Sequence, residues 1–116
     1  FTETIADELK LEKILVNCIA PGFVSTNIHK KTIKSGPKSV GKIFYSETLS
    51  KLKEGGTPFE KIFKCVSFLI SKESKSLTGK TISVNFDPWN KKKFQKNINK
   101  LKDSDELTMR RINLMT

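Results

Sequence analysis

The chain has 116 residues and a formal net charge of +10, from 22 basic against 12 acidic side chains. That length holds one domain, and no apolar stretch approaches the roughly 20 residues that a membrane-spanning helix needs. All the basic residues except Arg110 and Arg111 are Lys, spread along the chain without interleaved aromatics. Phosphate and base recognition favours the planar Arg fork, so the charge does not point to nucleic acid.

Two cysteines, Cys18 and Cys65, sit inside apolar segments, and His29 is the one histidine. A disulfide framework or a metal site needs more ligands at closer spacing. Both thiols are expected to be reduced core residues of a cytoplasmic protein. No secretion signal is visible after Phe1.

In chain order, FTETIADELKLEK is expected to be the end of a helix, with Ile5 and Leu9 on one face. No cap precedes it, which suggests a piece cut from a longer chain. ILVNCIA, residues 14–20, is an almost unbroken apolar run with β-branched residues. Such a run fits a strand buried on both faces in a parallel sheet. Residues 27–56 suggest short helical pieces and loops, with Gly55-Gly56 as a break. Thr57-Pro58-Phe59-Glu60 then has the form of a capping box. It leads into Phe59, Ile62, Phe63, Val66, Leu69 and Ile70 at helical spacing. Thr78-Gly79 is a turn, and TISVNF (81–86) a strand ended by Asp87-Pro88.

This order predicts an α/β fold with right-handed crossovers. After Trp89, expected to be a packing anchor, KKKFQKNINKL places Phe94, Ile98 and Leu101 on one helical face. Residues 89–116 are therefore expected to form a helical tail.

The abrupt break at Pro21-Gly22 is the most informative local feature. Ligands of open α/β sheets bind beyond the carboxyl ends of strands, and this break sits at such an end. Pro21 stops the ladder, and Gly22 permits a tight turn or a close approach. Val24 then offers backbone groups and Thr26 a hydroxyl, suited to a planar amide or a phosphate. An ordinary strand-ending turn would have the same spacing.

Asn17, Pro21, Gly22, Val24 and Thr26 match the Asn-x-x-x-Pro-Gly-x-Val-x-Thr segment of the short-chain dehydrogenase/reductase family, which the chain resembles over residues 1–88. FTETIADEL resembles the second half of that family's catalytic helix, and residues 57–86 its last helix, Thr-Gly turn and last strand. The resemblance implies the C-terminal part of a doubly wound Rossmann-like sheet. It also implies an NAD- or NADP-dependent oxidoreductase that moves hydride between nicotinamide and a carbonyl or secondary alcohol. Pro21, Gly22, Val24 and Thr26 would bind the cofactor, with Val24 on the carboxamide. Residues 27–56 would be the substrate-binding segment, and the full-length protein a homo-oligomer. FDPW and LTMRRI further resemble a subgroup encoded with bacterial surface-polysaccharide genes, implying a sugar-derived substrate.

The family's chemistry needs a Tyr, a Lys four residues later, and a Ser. The one tyrosine, Tyr45, has Leu49 at that spacing, and the Gly-rich fingerprint is absent. The chain is thus expected to be a C-terminal piece, inactive and not stably folded alone. The alternative is a non-catalytic basic binding or structural module, or a degenerate remnant. Gly36 to Lys42 approaches a phosphate-binding P-loop, but Ile43 replaces the required Ser or Thr and no strand precedes it. His29 is expected to be a solvated loop residue, Lys91–Lys93 a solvated helix start, and Arg110-Arg111 a surface pair.

Overall fold

The computed structural model describes residues 1–109. Two strands, β1 (Cys18–Ala20) and β2 (Thr81–Ser83), pair in parallel, with Ile19 opposite Ile82. Around them lie α1 (Thr2–Glu8), α2 (Asn27–Ser35), α3 (Pro37–Val40), α4 (Lys42–Glu54), α5 (Phe59–Ile70), α6 (Lys92–Lys96) and α7 (Ile98–Lys102). A 3-10 turn, Lys72–Ser74, follows α5. The α/β class expected from the element order is present, with a small parallel sheet.

β1 is shorter than its apolar run. Asn17 is the reason. Its Nδ2 donates to Leu77 O at 2.8 Å, and its Oδ1 accepts from Lys80 N at 3.1 Å. Val16 N donates to the Thr78 hydroxyl at 2.9 Å, and Gly79 N donates to Val16 O at 2.7 Å. Residues 16–17 are thus fastened to the 77–80 turn largely through side chains, and ladder pairing begins at Cys18. Ile14 and Leu15 are exposed, as are Cys18 and Ala20, while Ile19 packs on the core. The strand is not buried on both faces, and Cys18 is not a core thiol. Cys65 is.

β2 also stops early. The Asp87 carboxylate accepts from Ser83 N at 2.6 Å, and Asp87 N donates to Ser83 O at 3.1 Å. Asp87 curls the chain back at Ser83, so residues 84–86 form a turn.

α5 is amphipathic, as its spacing requires. Cys65, Phe68 and Leu69 face the core, joined by Leu77, Ile82, Val84, Trp89, Ile98 and Leu101. Full burial of a side chain such as Ile82 or Ile98 is worth about 1.5–3 kcal/mol. The opposite face of α5 carries Phe59, Phe63, Val66 and Ile70, all exposed. The capping box does not form. Pro58 is the N-cap. The Thr57 hydroxyl accepts from Asn85 Nδ2 at 2.8 Å, and Glu60 pairs instead with Lys64 at 3.1 Å.

Residues 27–54 are more helical than their composition suggests. α2, α3 and α4 pack chiefly on one another. Thr48 is their buried residue, while Ile28, Ile43 and Phe44 are exposed.

Beyond β2, the expected single helix is two short ones, broken at Asn97. Trp89 is the packing anchor expected of it: it is buried and its Nε1 donates to Val84 O at 3.0 Å. Lys80 is also buried. Its Nζ donates to Ser104 O at 2.7 Å and Glu106 O at 2.9 Å, and Thr81 N donates to Leu107 O at 2.8 Å. Residues 104–107 therefore run along the outer edge of β2.

Candidate functional site at the carboxyl end of β1

The chain leaves β1 at Pro21, which has no N–H to offer a ladder. The loop behind it is held from one side. Phe23 O accepts from Thr57 N at 2.7 Å. Asn85 Nδ2 reaches both Thr57 Oγ1 at 2.8 Å and Pro21 O at 3.5 Å, and Lys61 Nζ donates to Asn85 Oδ1 at 3.2 Å. Gly22 has φ +78°, and a Cβ there would lie 2.6 Å from Asn85 Nδ2. The space that glycine leaves is therefore taken by Asn85. Residues at the ends of β1 and β2 and the start of α5 converge on one turn.

The other side of the loop carries the unused groups. Among the described residues, neither the N–H nor the C=O of half-buried Val24 has a hydrogen-bond partner. Thr26 is exposed and is the N-cap of α2. Its carbonyl accepts from His29 N at 3.1 Å and Lys30 N at 3.4 Å, but its hydroxyl makes no cap bond. A helix start presents unpaired N–H groups and a partial positive charge. An amide edge at Val24, a free hydroxyl at Thr26 and the first turn of α2, which starts at Asn27, thus follow one another directly. Together they offer donors and an acceptor to a planar amide or an anion.

His29 is not a solvated loop residue. Its ring lies 4.1 Å from the Phe23 ring, tilted by 31°, and its Nδ1 is buried without a partner among the described residues. Lys51 Nζ sits 5.7 Å from the centre of the same Phe23 ring, a cation–π distance. Phe23 thereby ties the loop to α2 and α4.

Among the described residues no Tyr–Lys pair of the kind the family uses stands beside the loop. Tyr45 lies in α4, one turn before Leu49. Burial, reinforced by the Asp87 carboxylate, pushes the Cys65 thiol up, so it is a poor nucleophile. The Gly36–Lys42 stretch forms α3 and the start of α4 and follows directly on α2, not on a strand, which is not the strand–loop–helix arrangement of a P-loop. Among the described residues no group of acidic, His and Cys side chains is placed to hold a metal, and no helix is long and apolar enough to cross a membrane. Lys91 is the N-cap of α6, whose first turn holds Lys92 and Lys93, all three exposed. Arg110 and Arg111 lie outside the described residues.

A loop with free polar groups beyond the carboxyl end of a parallel strand is the placement that α/β folds use for nucleotide-type ligands. The chain belongs to the short-chain dehydrogenase/reductase family. A family model described as Enoyl-(Acyl carrier protein) reductase matches residues 1–86. A 3-oxoacyl-[acyl-carrier-protein] reductase FabG of Buchnera aphidicola is 36% identical over 87 residues, covering 73% of this chain and 32% of the relative. Nodulation protein G of Rhizobium meliloti is 33% identical over 85 residues, again 73% and 32%. A FabG of Rickettsia bellii is 33% identical over 86 residues, 72% and 32%. The chain thus spans about a third of the length of these curated relatives. No solved structure matches it significantly.

Sequence reasoning placed the loop but missed what holds it. Thr57, Asn85 and Lys61 are the fasteners. A polar residue following Val84 was the available signal for Asn85.

Proposed function

We propose that the chain is part of an NAD(P)-dependent oxidoreductase and supplies one wall of its nicotinamide site. The observation that carries this reading is the Pro21–Thr26 loop, fastened on one side and unpaired at Val24 and Thr26 on the other. These residues fit the group. Val24 N–H and C=O would pair with the two ends of a carboxamide, fixing the ring's orientation. The Thr26 hydroxyl would donate to the carboxamide or to a phosphate oxygen near the start of α2. Pro21 and Gly22 would set the turn that aims both. When bound, the cofactor supplies or accepts the hydride. NAD and NADP are both accommodated by this reading, because none of Pro21, Gly22, Val24 and Thr26 would meet the ribose 2′ position.

On this reading residues 1–88 are the C-terminal half of a doubly wound Rossmann-like domain. Residues 27–56 are its substrate-binding segment, and a tail that begins with the short helices α6 and α7 follows. The catalytic Ser, Tyr and Lys would come from outside these residues, so the 116-residue chain alone would be inactive. The substrate would be a small carbonyl or secondary alcohol. The relatives' names favour a 3-oxoacyl group on a carrier protein, and the tail resemblance a sugar-derived carbonyl. The exposed apolar stripe Phe59, Phe63, Val66 and Ile70 on α5 would meet a second copy in a homo-oligomer of the cytoplasmic protein.

Two measurements test this. Reading the coding sequence upstream of the Phe1 codon should reveal an in-frame Tyr-x-x-x-Lys close before it. Titrating the chain with NADH or NADPH should shift the amide resonances of Val24 and Thr26 before any others. A stop codon upstream together with no shift at the loop would refute the enzyme and leave the non-catalytic module.

A further inference from the structure

One concave feature among the described residues lies wholly outside the region that matches the family. A groove of about 760 Å³ is lined by residues from Pro88 to Leu107, whereas the family match ends at residue 86. It shares no residue with the Pro21–Thr26 loop. Its volume falls within the roughly 300–1,000 Å³ of small-molecule sites.

Asn97, between α6 and α7, lies on it, and Phe94 from the first helix and Leu101 from the second form an apolar floor. Leu107 adds to that floor from residues 104–107. This last wall is held in place by buried Lys80, whose Nζ binds Ser104 O and Glu106 O, and by Thr81 N on Leu107 O. The groove is therefore preformed. Around it stand Lys91, Lys93 and Lys100 against a single carboxylate, Glu106. Among the described residues none of these three ammonium groups has an ion-pair or hydrogen-bond partner. An apolar floor with an unneutralised cationic rim complements a molecule with the opposite arrangement.

We propose that this groove is a binding site for a single-chain anionic amphiphile, an alkyl chain bearing a carboxylate, sulfate or phosphate head. The chain lies over Phe94, Leu101 and Leu107. The head is met by Lys91, Lys93 and Lys100. The proposal does not rest on the oxidoreductase reading, and it concerns a site separate from the loop.

The test uses the 116-residue chain and sodium dodecanoate below its micelle concentration. Trp89, the one tryptophan, is buried against Phe68, which in turn touches Phe94 on the groove floor, so its emission is expected to report occupancy. Saturation at one molecule per chain is expected, with amide shifts centred on Asn97, Lys100 and Leu107. Dodecanol, with the same chain and no charge, should bind at least tenfold more weakly. The double substitution Lys91→Glu/Lys100→Glu, at exposed positions, should weaken dodecanoate binding by a similar factor without changing the melt. Equal affinity for dodecanol, or no effect of charge reversal, would overturn the proposal. So would shifts centred on the exposed stripe of α5, or a preference for an acidic peptide that competes dodecanoate away.

Discussion

Adjacent glycines with different surroundings offer a sharp test of how the loop is held. Gly55 ends α4 at φ +84° with no atom near a Cβ built there, while Gly56 has φ +64° and its Cβ would lie 2.6 Å from Phe23 O. An alanine at either position must adopt a left-handed conformation, costing about 1–2 kcal/mol. The gain from a stiffer unfolded chain is nearly the same at both. At Gly56 there is a further cost. The Phe23 carbonyl belongs to the backbone and cannot swing aside without lengthening its 2.7 Å bond from Thr57 N. Thr57 is buried, so its N–H would lose its partner away from water. That loss adds about 1–3 kcal/mol. Gly56→Ala should therefore destabilise by roughly 1–4 kcal/mol in total, exceeding Gly55→Ala by about 1–3 kcal/mol. Urea unfolding followed by Trp89 emission, at one fixed chain concentration, measures both. Amide exchange at Thr57 checks the comparison locally. Equal destabilisation within about 0.5 kcal/mol would refute the view that the Thr57–Phe23 contact carries the loop.

Further outcomes can be checked with the same material. In native conditions an aromatic disulfide reagent should label Cys18 quickly and Cys65 only on unfolding; comparable rates would contradict their burial. Burial holds the folded Cys65 thiol above its unfolded value, so the unfolded chain gives up its proton first. Stability is then intact below the ordinary thiol range, near about 8.5, and falls as pH rises through and above it. Cys65→Ala should flatten that decline, and an unchanged slope would assign it to another group. Lys80→Met should cost about 1–3 kcal/mol, because two carbonyls lose a charged donor. A neutral result would show that residues 104–107 are held by other contacts. Phe63 and Ile70 are 71% and 82% exposed, so Phe63→Glu/Ile70→Glu should leave monomer stability within about 0.5 kcal/mol, and the homo-oligomer proposed through this stripe should not form in sedimentation. Association that survives the change would move the interface elsewhere.

The α/β order was legible because it rests on period. The 3.6-residue rhythm of α5 survives in the folded chain, while of the apolar run ahead of Pro21 only Cys18–Ala20 is strand. Boundaries were less legible, because single polar side chains set them. Asn17 delays β1 until residue 18, and Asp87 ends β2 at residue 83 by bonding back to Ser83. Thr57 has the local sequence of a helix cap but is drawn to Asn85, a partner 28 residues away that no local pattern reveals. Asn97 splits the tail helix while leaving its apolar face intact, since Ile98 and Leu101 are still buried. For the candidate site, Pro21, Gly22, Val24 and Thr26 were named from the break after the strand together with the family resemblance, and the structure places them on one loop at the end of β1. The stack of His29 on Phe23 was not named, because it depends on where α2 turns back.

The two edges of the small sheet are not equivalent. In a parallel ladder alternate residues direct their backbone groups to opposite sides. On the far side of β2, Leu107 O already occupies Thr81 N, so an incoming strand finds that flank taken. On the far side of β1, Ile19 points its N–H and C=O away from β2, and among the described residues no strand lies there. Growth of this sheet is thus directional: the tail acts as a stop at one flank and leaves the other receptive. Any strand that joins, from a neighbouring part of a longer chain or from another molecule, has one berth. It lies beside the same strand whose end carries the Pro21–Thr26 loop.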